Sequence, residues 1–398
     1  MSVSFKMVGK LQMPKETEKF HPYTERVSES GWMSKRFNVN VICGTNRHMI
    51  TMHDLYKVDG TGVVYTRKLI PSESGGRAKT ENVQIPYKDR LKKDVIAEVA
   101  SFSKYIIDLN PRNRLYALRD LKDDVADGKG ITDEQLKAVG LMNVGQIEDA
   151  YADALSNRME FITTGDMIDA LKKILESGKY DDKLFSITGQ CEYSYNQNAD
   201  QIYESYVPER IALVGDSEVV MSTATYKLLF NKESLDGNKV TGYHFERNSN
   251  YNKNRDPESL KEIPVQTQIV VHEPDDGNEI SSKKCEAILK KFKVTDDKWL
   301  EYGCVVELVD GSPRKAIKLE DLDEDLQEDI ELGIITLDDI RREMGGSIYG
   351  EHIRENRFIR PSNGYSRGPL PTEYTDDDFV MNKDDGEETD LDDLFSDL

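Results

Sequence analysis

Polar and apolar positions alternate from Arg36 to Val41 within residues 35–43, KRFNVNVIC. Phe37, Val39 and Val41 fall on one face, and the intervening Arg and Asn residues fall on the other. A period of two with β-branched residues indicates a half-buried strand, so the valines and Phe37 are expected in a core. Gly44-Thr45-Asn46 has the composition of a turn, and residues 47–57 then predict the returning strand of a hairpin.

Residues 62–68, GVVYTRK, follow the Asp59-Gly60 turn and predict a third strand of an antiparallel meander. The pattern then changes to helical spacing at residues 88–109 and 132–180. Thr132 with Gln135 has the spacing of a capping box, and Gly178 is expected to end the last helix. Strands return at residues 183–195, 209–214 and 222–231. A helical insertion at about 88–180 is therefore predicted inside one β-domain.

A second β pattern follows the Asp236-Gly237-Asn238 turn. Strands are predicted at 239–247, 263–272 and 303–309, with a helix near 281–292 and an acidic helix within 319–340. The predicted fold class is α+β: an OB-like antiparallel β-barrel with a helical insertion, a second smaller β-rich region and a disordered acidic tail. Whether the second region closes into its own OB-like barrel is left open. The expected domains are 1–235, 236–364 and a linker with tail at 365–398.

Charge is distributed unevenly along the 398 residues, whose net charge is −21. Residues 373–398 carry twelve acids and one lysine, and residues 319–340 carry ten acids and no Lys or Arg. The rest of the chain is neutral as a result. The overall acidity therefore does not exclude a polyanionic partner for the body. A like-charge run such as 373–398 is expected to stay extended and solvated.

Motifs of catalysis are missing from the sequence. It has no GxxxxGK[ST] loop and no GxGxxG motif, the four cysteines lack CxxC spacing, and the six histidines are dispersed. We therefore expect no enzyme, no cofactor and no metal site. The first 20 residues lack the apolar stretch of a secretory signal, and no apolar run reaches the roughly 18 residues of a membrane helix. A cytoplasmic protein with reduced thiols is expected.

Cationic and aromatic residues are interleaved in the predicted meander at residues 35–68. This segment contains six Lys and Arg residues and two Asp residues. Such a pattern suits single-stranded nucleic acid, because cations contact phosphates and aromatic rings stack on bases. The candidates here are Lys35, Arg36, Arg47, Tyr56, Lys57, Tyr65, Arg67 and Lys68. Candidates on a second patch are Tyr226, Lys227, Tyr243, Phe245, Arg247 and Tyr251. An ordinary solvated hairpin explains the second patch nearly as well.

The apolar residues of the C-terminal tip favour a docking segment over the alternative of a simple solubility tail. Leu391, Leu394, Phe395 and Leu398 recur at i, i+3, i+4 and i+7, on one face of a single helical segment. An acidic arm with an apolar tip suits a basic-rimmed hydrophobic groove on a partner, where it would fold on binding. Without a partner, the same arm could cover the chain's own cationic groove and compete with phosphates.

This layout resembles the single-stranded DNA-binding proteins of bacteriophages. The resemblance is carried by residues 35–57, by the Pro/Gly segment YSRGPLP at 365–371 and by the terminus DLDDLFSDL. It implies an OB-fold core, a flexible linker and an acidic tail that recruits polymerase, helicase or recombinase partners in DNA replication, recombination and repair. In that case Asp392 and Asp393 would act with Leu391, Leu394, Phe395 and Leu398. Longer length, the helical insertion and the lack of a Pro-Phe terminus depart from the bacterial members.

The predicted function is therefore coating and protection of single-stranded DNA, in the bacterial host cytoplasm if the chain is viral. One alternative is a viral structural or assembly protein whose tail docks another subunit. The other is a nucleic-acid enzyme that binds Mg²⁺ through the acids of residues 320–339. A solvated acidic helix explains those acids better than a metal site does.

Overall fold

The computed structural model describes residues 2–70, 79–111, 114–251, 260–272, 279–312, 314–316, 319, 322–343 and 347–381. The strands are β1 Ser4–Gln12, β2 Tyr23–Val27, β3 Trp32–Cys43, β4 Asn46–Lys57, β5 Val63–Ile70, β6 Lys79–Pro86, β7 Tyr105–Asp108, β8 Arg158–Phe161, β9 Leu184–Asn196, β10 Gln201–Leu213, β11 Met221–Phe230, β12 Leu235–Asp236, β13 Lys239–Arg247, β14 Glu262–Val270, β15 Leu300–Gly311, β16 Arg314–Ala316, β17 Ser347–Tyr349, β18 Ile353–Pro361 and β19 Leu370–Pro371. The helices are α1 Lys93–Glu98, α2 Arg114–Ala126, α3 Asp133–Ala138, α4 Ile147–Ser156, α5 Thr164–Glu176, α6 Glu279–Phe292, α7 Glu324–Glu331 and α8 Leu337–Glu343.

Fifteen of these strands form one mixed sheet in the order β2-β3-β4-β15-β18-β14-β13-β11-β1-β9-β10-β7-β8, with β12 and β19 paired at its side. The expected OB-like antiparallel barrel with a separate, smaller β-rich region is therefore wrong. Parallel pairs occur at β10–β4, β10–β7 and β14–β18, and β11 of the first predicted region pairs with β13 and β15 of the second. The two predicted β regions are thus hydrogen-bonded to each other. Strand patterns reveal periodicity, but they do not reveal which strands pair.

Extra pairings of β3 with β1, β4 with β10 and β15 with β11 link strands that are distant in the sheet order. The path β1-β3-β4-β10-β9 returns to β1, and the path β11-β13-β14-β18-β15 returns to β11. One continuous core lies within these circuits and includes Phe37, Val39 and Val41, as expected from the alternation. Gly9 is required where β1 meets β3, because a Cβ there would lie 2.4 Å from the Ile42 carbonyl oxygen.

Strand β1 joins both circuits but was not predicted. Phe5, Met7 and Leu11 point into the core with the period of a half-buried strand. The third predicted strand, by contrast, leaves the meander: β5 pairs with β6 as a separate two-stranded hairpin and not with β4. The missing partner was β6, which lies in the segment between the predicted meander and the predicted helices.

The predicted helical block is also more mixed than its periodicity indicated. Strands β7 and β8 pair with each other, and β7 joins β10 at the edge of the sheet. Helices α2 to α4 enclose a small core of their own around Leu118 and Leu136, while α5 packs its buried face, with Met167 and Ile168, on the main core. The Thr132–Gln135 capping box is present at the start of α3, as predicted.

The beginning of the predicted tail is packed on the sheet. Leu370 and Pro371 pair with Glu301 and Leu300 of β15, and the Thr372 backbone N–H donates to the Trp299 carbonyl at 3.1 Å. The segment continues in contact with the sheet to Met381. The terminal residues Leu391, Asp392, Asp393, Leu394, Phe395 and Leu398 lie outside the described residues.

Within the described part of the chain, none of the helices combines the length and the apolar character needed to cross a bilayer. The acidic run at 319–340 contains α7 and the start of α8, joined by a turn at Gly333. The acids of these two helices are mainly exposed.

Candidate nucleic-acid interface

An open groove lies where the end of β4, the β5–β6 hairpin and the first residues of α5 meet. Its volume is about 510 Å³. Rings of five aromatic residues line it, together with one lysine, one aspartate and the hydroxyls of two threonines of α5 and its cap. The aromatic residues are Trp32, Tyr56, Tyr65, Tyr87 and Tyr105. We refer to this site, with Lys57 and Asp54, as the aromatic groove.

Two of the rings form a supported stack at the base of the groove. The Tyr56 and Tyr87 ring centroids lie 4.7 Å apart with an interplanar angle of 16°. The Arg90 guanidinium lies over the Tyr87 ring, 3.9 Å from its centroid. Arg90 also donates from Nε and Nη2 to the two carboxylate oxygens of Asp166, at 2.8 and 3.0 Å. A bidentate ion pair therefore holds the tyrosine platform in place.

The start of α5 supplies that carboxylate. The Asp166 backbone N–H donates to the Thr163 hydroxyl at 3.3 Å, and the same hydroxyl donates to Asp166 Oδ2 at 2.6 Å. This N-cap interaction is the reason that the helix begins at Thr164. The helix start in turn directs the Asp166 carboxylate toward Arg90, which lies 76 positions earlier in the sequence. A local capping interaction therefore helps to fix the position of a side chain that is distant in sequence.

Asp54 places a negative charge beside the rings. Its Oδ2 accepts from the Gly165 backbone N–H at 2.8 Å, and Gly165 leaves room for it because a Cβ there would lie 2.5 Å from that oxygen. Burial raises the pKa of Asp54 above its ordinary value of 3.8, although the backbone N–H groups of Gly165 and Leu55 oppose the shift. The groove is thus not uniformly cationic.

The rim of the groove is more accessible than its base. Tyr65 is 76% exposed, and Trp32 is 38% exposed. The Lys57 ammonium lies 5.8 Å from the Trp32 ring, within the range of a cation–π contact. Tyr65 and Tyr105 also line a second cavity of about 540 Å³ under the hairpin, where Arg67 lies. The two cavities therefore adjoin at these two tyrosines, and we refer to them together as the trough.

Four other cations of the predicted meander lie outside this trough or are already paired. Lys35 is buried and donates to both carboxylate oxygens of Asp169, at 2.8 and 2.9 Å. Burial alone would lower the pKa of Lys35, but the hydrogen bond to Asp169 raises it. Lys68 pairs with Glu98. Arg36 is exposed on β3 opposite His53.

Arg47 is exposed at the start of β4, nine residues before Tyr56. At roughly 3.3 Å per residue, that separation is about 30 Å along the strand. Arg47 lines a different cavity, beside Lys10 and Asp181. The structure therefore brings together Tyr56, Lys57, Tyr65 and Arg67, and it leaves Arg47 at the far end of the strand.

Tyr226 and Lys227 do not join a common surface with the groove. Tyr226 is 2% exposed in the core, with its ring edge-on to His244 at 5.3 Å. A ring so placed cannot stack on a base, so this expectation is corrected. Tyr226 lies on the buried face of β11, whose residues alternate between buried and half-buried, and the sequence pattern did not show which face is turned to the core. Lys227 points outward and lies 3.4 Å from Glu301.

Tyr243 and Phe245 lie on the outer face of β13, but the C-terminal segment covers them. Phe379 contacts three rings at once: its centroid is 4.1 Å from Trp299, 4.8 Å from Tyr243 and 5.4 Å from Phe245. Tyr374 stacks on Phe245 at 5.2 Å. We call these five residues the covered aromatic cluster.

A polar contact fixes the covering segment. The Trp299 indole N–H donates to Asp376 Oδ1 at 2.8 Å, and the charge of Asp376 is among the causes that raise the pKa of Lys232, after the ion pair of that lysine with Asp297. Arg247 is exposed at the end of β13, and Tyr251 is half-buried just beyond it. The segment thus presents carboxylates and two aromatic rings to a strand face bordered by cations.

Sequence reasoning missed Tyr87, Tyr105, Trp299, Tyr374 and Phe379. Tyr105 begins a four-residue strand that helical spacing had hidden, and Tyr87 follows the unrecognised β6. Residues 374–379 were read only as acidic, although Tyr374 and Phe379 interrupt the charges. Aromatic residues within a charged run were the available signal.

Among the described residues, no group of three or more His, Cys, Asp or Glu side chains is placed to hold a metal ion. No protein-family model matches the chain, and no curated protein matches it. Among solved structures, the chain is similar to a deletion mutant of the single-stranded DNA binding protein from Thermus aquaticus. The identity is 8%, the TM-score is 0.25, and the match covers 78% of this chain and 87% of that chain. A likeness at this level is too weak to assign a fold or a function.

Proposed function

We propose that this chain binds single-stranded DNA in the aromatic groove and protects it without catalysis. The observation that carries the proposal is the trough in which exposed Tyr65 and Trp32, the Tyr56–Tyr87 stack and Lys57 line one open surface. Rings that face solvent in a groove lose nothing by stacking on a base, whereas buried rings would have to leave the core.

The chemistry favours a single strand over a duplex. Stacking on an aromatic side chain requires an unpaired base, and it contributes about 1–3 kcal/mol per base with little dependence on sequence. We expect Lys57 and Arg67 to neutralise phosphates near Tyr65, because each of them lines one of the two cavities that Tyr65 borders. Such charge neutralisation makes affinity fall as salt rises.

The covered aromatic cluster is assigned a second role in the same function. Its covering segment carries carboxylates and aromatic rings, which resemble in charge and shape the anionic phosphates and the stacking bases of a DNA strand. We therefore expect residues 372–381 to compete with single-stranded DNA for Tyr243 and Phe245. This refines the prediction that the acidic arm covers a cationic groove.

Recruitment of replication and recombination proteins by residues 382–398, in the cytoplasm, completes the proposal. It is supported by the apolar spacing of Leu391, Leu394, Phe395 and Leu398 within an acidic segment. A chain ending at Met381 should still bind DNA and lose its protein partners in pull-downs from cells in replication.

Tryptophan fluorescence offers a direct test, because the chain has two tryptophans and each lies at one surface. In Trp299→Phe, Trp32 alone reports on the aromatic groove; in Trp32→Phe, Trp299 alone reports on the covered cluster. Each variant is titrated with single-stranded oligo-dT and with duplex DNA at low and high salt. Quenching of Trp32 by oligo-dT at micromolar or lower concentration, weakened by salt, is expected.

Three outcomes count against the proposal. Lack of oligo-dT binding at low salt, with the full chain and with the chain ending at Met381 alike, would falsify it. Self-association in size-exclusion chromatography without DNA affinity would favour the assembly-protein alternative. Binding of the duplex as tight as that of the single strand would show that stacking on unpaired bases is not the basis of recognition.

A further inference from the structure

A second concave site lies on the outer face of β1, β9 and β10, where α2 rises from the sheet. Its volume is about 400 Å³, in the range of small-molecule sites. It lies apart from the aromatic groove and shares none of its lining residues. None of the residues predicted to bind nucleic acid lines it.

Strand register places two cations on either side of a hydroxyl. Lys6 of β1 pairs with Thr188 of β9, and Thr188 pairs with Arg210 of β10. Residues directly opposite each other in neighbouring strands point to the same face, at about 4.8 Å per strand. Lys6, Thr188 and Arg210 therefore form a row about 10 Å wide whose middle is a short hydroxyl side chain.

The next row forms a shallow floor. It consists of Val8, Ser186 and Ala212, in register across the same three strands. Small side chains in this row leave space above the sheet between the two cations. A tetrahedral phosphate seated there would meet a cation on each side and hydroxyls beneath it, the arrangement that suits a doubly charged anion.

The two cations that flank Thr188, Lys6 and Arg210, remain accessible. Lys6 is exposed, and the Arg210 side chain is 42% exposed with its nearest carboxylate, Asp108, 3.8 Å away. Asp108 is itself paired with Arg158 at 3.3 Å, so its charge is largely compensated. Arg114 of α2 adds a third cation to the lining, and Glu218 adds a second carboxylate.

The rest of the lining suits an aromatic, hydrogen-bonding group. Tyr116 is 40% exposed beside the cations, and Leu115 and Leu213 supply apolar walls. Asn110 also lines the site. Its Nδ2 donates to Asp108 at 2.9 Å and to the Ala154 carbonyl at 2.8 Å, so this side chain is held in place at the edge of the site.

We propose that this pocket binds one nucleotide unit, with its phosphate between Lys6 and Arg210 and its base beside Tyr116. The unit can come from a free 5′-mononucleotide or from the 5′-phosphorylated end of a strand, since both present the same phosphate monoester and base. The proposal does not depend on the aromatic groove, because the two sites share no residue.

The test measures binding of thymidine 5′-monophosphate to the full chain by isothermal calorimetry, with thymidine and inorganic phosphate as comparison ligands. The mononucleotide is expected to bind at least tenfold more tightly than either. The double variant Lys6→Gln, Arg210→Gln should weaken it at least tenfold, and Thr188→Val should weaken it by a smaller factor. Lys10→Gln is the matched control, because Lys10 is also exposed on β1 but pairs with Asp182.

Competition in the Tyr65→Ala background, which weakens the aromatic groove, distinguishes the two sources. Displacement of the mononucleotide by a 5′-phosphorylated oligonucleotide, and not by the 5′-hydroxyl form, would assign the pocket to strand ends. Displacement by neither would assign it to free nucleotides. No measurable mononucleotide binding at millimolar concentration, or equal binding by the double variant and Lys10→Gln, would overturn the proposal.

Discussion

The aromatic groove and the covered aromatic cluster contain the same types of side chain but differ in how accessible their aromatic rings are. Each combines tyrosine, tryptophan and nearby cations on the surface of the sheet. In the groove, Tyr65 faces solvent, whereas Tyr243 and Phe245 already have Phe379 and Tyr374 as ring partners. Aromatic residues on a strand face therefore do not by themselves mark a free binding surface, because the chain's own segments can occupy it.

Substitution of Tyr65 should give the largest effect that distinguishes the open groove from the covered cluster. Tyr65→Ala removes an exposed ring, so we expect oligo-dT affinity to fall by about 1–3 kcal/mol, or about 5- to 150-fold, with little loss of stability. Fluorescence titration of the Trp299→Phe background measures it. Tyr203→Ala is the matched control, because Tyr203 is 46% exposed on β10 in a different cavity. Equal losses in both variants would contradict the assignment of the groove.

Uncovering the cluster should have the next largest effect. A chain ending at Pro371 lacks Tyr374, Asp376 and Phe379, so Tyr243 and Phe245 become free to stack on bases. Compared with a chain ending at Met381, it is expected to bind long oligo-dT about tenfold more tightly. Phe379→Ala in the full chain gives the same test with a smaller change. Weaker binding by the shorter chain would show that the segment supports the DNA surface instead of competing for it.

Lys57 and Lys35 form a matched pair for a smaller effect. Lys57→Gln should lower the slope of log affinity against log salt by about 0.7, the contribution of one phosphate contact on a single strand. Lys35→Gln removes the same charge but should leave the slope unchanged, because Asp169 already holds that ammonium. It should instead lower the free energy of unfolding by about 1–2 kcal/mol, measured by urea denaturation. A changed salt slope in Lys35→Gln would refute this division of roles.

The smallest expected effect is a pH dependence set by Asp54. Burial raises the pKa of this carboxyl above 3.8, so the groove loses its negative charge at a higher pH than an exposed aspartate would allow. DNA affinity should therefore rise as pH falls through that pKa. Folded-state protonation is also favoured, so the contribution of Asp54 to stability is greatest at low pH and is lost as pH rises. Asp54→Asn should remove this component of both profiles; an unchanged affinity profile would exclude Asp54 as its source.

Local patterns in the sequence determined many of the elements. Alternation predicted most of β3, β4 and β13, and it predicted a buried Phe37. Interleaving of rings and cations pointed to Tyr56, Lys57 and Tyr65, which the structure brings into one groove. Both signals are local, because strand periodicity and the types of side chain can be recognised within a few consecutive residues.

Pairing and covering were decided only by tertiary structure. Hydrogen bonding of β15 to both β11 and β4 merges the two apparent β regions, and it depends on residues about 70 to 265 positions apart. Lys35 resembled its neighbour Arg36 in the sequence until Asp169 of α5 was seen to pair with it, and Tyr226 appeared as accessible as Lys227 until the fold placed it on the buried face of β11. A side chain's environment comes from distant segments, whose approach no local pattern records. For the same reason, the sequence showed that the start of the tail is acidic, but it did not show that Asp376 accepts a hydrogen bond from Trp299.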